Sequence, residues 1–176
     1  MKISELVTNQ SMGNLESFYI MEMYDAKFQK LSWYVESGAH VGIGEVEDLK
    51  VRVVIDPTSY DAYQGANLTF GVWDGKEFTE KYRNVGTLNA SKIIGAVKNA
   101  LVEKILEFDV KFVILVAKDN VEQRTRIYQQ LAKIIAAEQK LEAPFKFDVR
   151  DCKVTLVSWL THDITVELID KLKSSL

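Results

Sequence analysis

Cysteine and histidine are scarce in this chain of 176 residues, and each shortage removes a class of protein. A lone Cys152 permits neither a disulfide framework nor a multi-cysteine metal site, which suits a reducing compartment. His40 and His162 are the only imidazoles, too few for a zinc centre or an obvious nucleophile–base pair, so no metal and no resident cofactor are expected. No apolar run approaches the ~18–20 residues that a membrane span needs. Met1 to Gln10 lacks the apolar stretch of a signal peptide. Positive charge is not in excess either: a net charge of −3 and a pI near 5.5 argue against capture of nucleic acid or of an anionic membrane. The expectation is a cytoplasmic protein without repeats or low-complexity segments.

What is present is ordinary globular composition. Hydrophobic residues make up 47% and charged residues 27%, enough for a real core, and the length fits one domain over 1–176. The legible part begins at Leu68. Leu68 to Trp73 reads as a strand, Asp74-Gly75 as a hairpin turn, and Lys76 to Tyr82 as the returning partner. From Asn89, as cap, to Phe108, apolar residues at Ile93, Ile94, Val97, Leu101, Ile105 and Phe108 mark one buried helical face. Val110 to Ala117 carries a single charge, Lys111 at its edge, so it reads as a central strand covered on both faces. A second helix follows Asp119 or Asn120, with Glu122 completing a capping box and Ile127, Leu131, Ile134 and Ile135 inward. Two more strands, Phe145 to Arg150 and Lys153 to Trp159, precede an amphipathic helix from Thr161 to Leu176.

The first half is less periodic. Lys2 to Asn9 suggests a helical turn, and Ser17 to Met23 and Lys27 to Val35 suggest strands. Gly38 to Asp48, with three glycines, reads as a mobile loop. Leu49 to Ile55 is a strand that Asp56-Pro57 ends, leaving 57–65 as a surface loop. The whole predicts an α/β class, with α+β as the alternative: a single mixed sheet, helices on both faces, and a closing C-terminal helix.

Four groups of residues are candidates for function. The turn Arg83 to Asn89 leads a strand into a helix N-terminus, where free N–H groups and the dipole favour an anion; Arg83, Gly86, Thr87 and Asn89 would hold it. The plain alternative is a capped helix entered through a glycine turn. Arg124 and Arg126 stand in the opening turns of the next helix, against its dipole, at the carboxyl end of the central strand. Ion pairing with Asp119, Glu122 or the loop from Glu45 to Asp48 would account for them equally. Glu45, Glu47, Asp48, Asp56 and Asp61 read as solvated carboxylates, His162 as a neighbour of a helix cap, and Cys152 as an inert thiol. Tyr60 and Tyr63, if exposed on their loop, would form a protein-binding edge.

Two resemblances rest on these segments. Arg83 to Ala90, Phe112-Val-Ile-Leu-Val-Ala-Lys118 and Arg124-Thr-Arg-Ile-Tyr128-Gln-Gln-Leu-Ala132 resemble a family of small tailed-bacteriophage proteins without an assigned activity, over roughly 70 of the 176 residues. The opening Met-Lys-Ile-Ser-Glu-Leu is similar to that of phage reading frames. The order of strands and helices is similar to that of the GNAT acyltransferase superfamily, whose pyrophosphate turn has the form Gln/Arg-x-x-Gly-x-Gly/Ala. Arg83-x-x-Gly86-x-Leu88 matches two of its three marked positions and departs at Leu88. The Gly-Phe that often follows the family's tyrosine is Ala132-Lys133 here, and a last helix replaces the last strand.

These resemblances imply a phage-encoded accessory protein with a GNAT-like arrangement, acting through contact with a host or phage protein in the host cytoplasm or in the virion, with a homo-oligomer left open. The alternative they imply is an N-acyltransferase using acetyl-CoA or another acyl-CoA. In it the turn 83–89 would hold the pyrophosphate, Tyr128 would protonate the leaving thiolate, and Arg124 would clamp a phosphate or the substrate.

Overall fold

The computed structural model describes residues 26–80, 87–118 and 121–175. Strands β1 (Gln29–Glu36), β2 (Ala39–Val46), β3 (Leu49–Tyr60) and β4 (Tyr63–Trp73) form an antiparallel meander, followed by a short β5 (Phe78–Thr79). Then come α1 (Thr87–Phe108), β6 (Phe112–Ala117), α2 (Val121–Glu138), β7 (Phe145–Val149), β8 (Cys152–Ser158) and α3 (His162–Ser175). The eight strands of the described residues belong to one mixed sheet in the order β1-β2-β3-β4-β6-β8-β7, with β5 beside β4. The α/β class with helices on both faces is what the sequence predicts.

One core lies where α1 and α2 cover Val51, Val53, Leu68, Phe70, Val113 and Leu115. A smaller one lies on the other face, where Leu168 and Ile169 of α3 cover Phe112, Ile114, Val154 and Leu156. β6 is therefore packed on both sides, and five of its six residues are buried. This explains the near-absence of polar side chains in its sequence. Ser158 and Thr165 share a 2.8 Å hydroxyl hydrogen bond that ties β8 to α3.

Two predicted loops are strands. The glycine-rich segment 38–48 contains β2, because Gly42 and Gly44 make room for aromatic rings. A Cβ at Gly42 would lie 3.0 Å from the Trp33 ring, and one at Gly44 would lie 2.8 Å from Phe28. Turns bound it at both ends: Ser37-Gly38, with φ of +51° and +85°, and Glu47-Asp48, with Glu47 at φ +54°, each the backbone of a tight hairpin. The segment 57–65 is likewise strand: β3 runs through Pro57 to Tyr60 and returns as β4 after Asp61 and Ala62. Pairing of β2 with β3 stops at His40 and Ile55, so Pro57 sits where β3 has a strand on one side only, and its missing N–H costs no ladder bond.

Smaller differences follow. The strand predicted over 27–35 occupies 29–36. α1 begins at Thr87, which puts Asn89 inside the first turn rather than at the cap. Phe108, predicted inward, is 37% exposed and lies against His40 at 4.4 Å. The Asp74-Gly75 hairpin forms, with Asp74 Oδ1 accepting from the N–H groups of Lys76 and Glu77, but its described partner strand is only Phe78–Thr79. The expectations for 2–9, for 17–23 and for the caps at 119 and 120 lie outside the described residues.

Candidate functional site

β4 and β6 run parallel but pair over only three residues, Gly65 to Asn67 against Phe112 to Ile114. Beyond that point they separate. β4 continues to Trp73 and takes β5 as its neighbour, while β6 continues to Ala117 against β8 alone. The carboxyl ends of adjacent parallel strands are where open α/β sheets receive ligands, so this gap is the first place to look.

Three side chains meet beside this gap. Glu80, just past β5, meets Arg124 and Tyr128, which stand one turn apart on α2. Arg124 Nε lies 2.7 Å from Glu80 Oε2, with side-chain exposures of 14% and 27%. The Nε–H is not aimed at the carboxylate, so the contact is an ion pair by distance without hydrogen-bond alignment. The Tyr128 hydroxyl donates to the same oxygen at 3.4 Å, a long bond. Tyr128 is 1% exposed and packs at 5.7 Å against the Phe70 ring of β4. Burial, first, and the Glu80 charge, second, push its phenol well above the ordinary tyrosine range, against a smaller opposing effect of Arg124. The Thr125 hydroxyl beside them is buried without a hydrogen-bond partner.

Chemically, this is a neutral phenol and a guanidinium gathered on one carboxylate in an apolar setting. As a proton donor Tyr128 is weakened by its raised pKa, and as a contact for substrate it is almost wholly enclosed. On the far side of Glu80 a cavity of about 60 Å³, lined also by Arg52, Thr69 and Phe78, has room for a few waters only. Arg52 itself is paired with Glu36 at 2.7 Å.

The other sequence candidates are dispersed. Arg83 and Gly86 lie outside the described residues, as does the side chain of Thr87; Asn89 is half-buried in α1. Arg126, between Arg124 and Tyr128 on α2, is exposed and takes no part in the cluster. Tyr60 and Tyr63 face each other across a two-residue turn, but they are half-buried against the α3 core, with Lys171 Nζ 4.9 Å over the Tyr60 ring. They are therefore not the exposed pair that a binding edge requires. Glu47 pairs with Lys92 and Glu45 with Lys30, while Asp48, Asp56 and Asp61 are solvent-exposed. His162 Nδ1 meets Glu142 at 2.8 Å. Among the described residues no group of three or more His, Cys, Asp or Glu is placed to hold a metal ion.

Sequence reasoning singled out Arg124 at the end of the central strand but named Asp119, Glu122 and the 45–48 loop as partners. Glu80, 44 residues earlier, is the carboxylate it meets. It also missed Lys98, 2% exposed and 2.6 Å from Glu138. A signal existed: Lys98 interrupts the apolar spacing Ile94, Leu101, Ile105. Comparison of the chain with family models, curated proteins and solved structures gives no match. No helix among the described residues is long and apolar enough to cross a membrane.

Proposed function

We propose that the chain is an accessory protein that works by contact with another protein, built on an acyltransferase-like sheet whose cofactor gap is shut. The observation that carries this reading is the enclosed Glu80–Arg124–Tyr128 cluster beside the diverging β4 and β6. A catalytic acid must reach its substrate, and Tyr128 at 1% exposure does not. Leu88, where the acyltransferase pattern has glycine or alanine, agrees with a gap not used for pyrophosphate. Support for protein contact comes from β1, the last strand of the sheet among the described residues, which exposes Tyr34 and Val35 at 43% and 65%. The phage origin rests on the sequence resemblance.

The second reading, an acyl-CoA-dependent N-acyltransferase, is favoured by the separation of β4 and β6 itself. Thermal shift with acetyl-CoA decides between them. A cofactor at 100 times its dissociation constant stabilises by about 2.7 kcal/mol, readily seen in the melting temperature. The proposal expects no shift at millimolar acetyl-CoA. A saturable rise, abolished by Arg83→Ala, would establish the enzyme instead.

A further inference from the structure

A second cavity lies at the opposite end of the same parallel pair. It is a half-open cleft of about 180 Å³, with buried Ile55, Gly65, Ala66 and Val110 as its floor and Pro57, Gln64, His40 and Phe108 as its other lining. The floor is almost fully buried: Ile55 is 3% exposed, Ala66 1% and Val110 8%. An apolar cavity of about 150 Å³ is known to take up benzene, so this volume suits one ring with a small substituent.

The wall is also built for a ring. The imidazole of His40 lies 4.4 Å from the Phe108 ring, tilted at 31°, and both rings line the cleft. Among the described residues neither imidazole nitrogen has a hydrogen-bond partner, so His40 joins Gln64 as a polar lining group and keeps unused capacity. Phe108 ends α1, which closes through Asp109 at φ +51° and a Val110 N–H to Ile105 carbonyl bond of 3.2 Å. The nearby side-chain charges are paired, Asp109 with Lys111 at 2.8 Å and Lys104 with Glu107 at 2.9 Å, which leaves the negative end of the helix by the cleft, a setting that disfavours an anionic ligand.

We propose that this cleft binds a neutral single-ring aromatic of the phenol class, its ring over Ile55 and Ala66 and its hydroxyl bonded to His40. The site is independent of the Glu80–Arg124–Tyr128 cluster and stands whichever reading of the gap is right.

The test is a methyl-observed NMR titration of the full chain with phenol, toluene and benzoate up to about 10 mM. Saturable phenol shifts at Ile55, Ala66 and Val110, with benzoate much weaker, are expected. His40→Phe keeps the ring and removes the nitrogens; it should weaken phenol about three- to tenfold and leave toluene unchanged. Val110→Phe fills the cavity and should abolish both. Should that variant fail to fold, Pro57→Trp, at an exposed rim position, provides the block. Absence of saturable phenol binding, equal binding of benzoate, or binding untouched in the folded blocking variant would each overturn the assignment.

Discussion

Lys98 shows how far a single residue departs from the pattern around it. It is an ammonium at 2% exposure between α1 and α2, held by Glu138. Removing one charge from such a pair leaves the other buried and uncompensated, whereas removing both leaves an apolar contact. Glu138→Ala is therefore expected to lower stability by about 3 kcal/mol, and Lys98→Met with Glu138→Leu to change it little. Urea denaturation of the three proteins checks this; a double variant as unstable as the single one would contradict it. Tyr128 gives a prediction in pH. Its phenol stays protonated in the fold beyond the ordinary value of 10.0, so its contribution is complete below that pH. As pH rises past it, the unfolded chain loses the proton first and stability falls. Wild type should lose stability above pH 10 more steeply than Tyr128→Phe in paired urea titrations; parallel slopes would place the phenol in water.

Elements differed in how openly the sequence declared them. α1, β6, α2 and α3 were legible because each carries a dominant period, either a 3.6-residue apolar stripe (broken in α1 by Lys98) or a strand with no polar face. β2 and the ends of β3 and β4 were not, because the deciding contacts come from elsewhere in the chain. Gly42 reads as a turn residue until Trp33 lies across it, and Pro57 reads as a stop until the missing neighbour of β3 is known. Arg124 was legible as a candidate and illegible in partner, since no local spacing relates it to Glu80. Gly65 makes the same dependence measurable: a Cβ there would lie 2.2 Å from the ring of Phe112, itself buried beneath α3. Gly65→Ala should cost about 1–3 kcal/mol. Combined with Phe112→Leu it should cost less than the sum of the two single changes in a double-mutant cycle. Simple additivity would mean the ring yields freely.

At the scale of the whole molecule, the sheet divides where β4 and β6 part. On one side is the antiparallel meander β1 to β4 with α1; on the other, β6, β8 and β7 with α2 and α3. The two halves are joined by three residue pairs of parallel ladder and by the core that α1 and α2 share. A gap of this kind is either an entrance or a seam, and on the proposed function the cluster of Glu80, Arg124 and Tyr128 makes it a seam. Native-state hydrogen exchange along β6 reads the difference directly. If the seam is shut, the amides of Leu115, Val116 and Ala117 exchange about as slowly as those of Val113 and Ile114, near the rate of global unfolding. Exchange at those three positions as fast as along the edge strand β1 would show water in the gap and contradict the account.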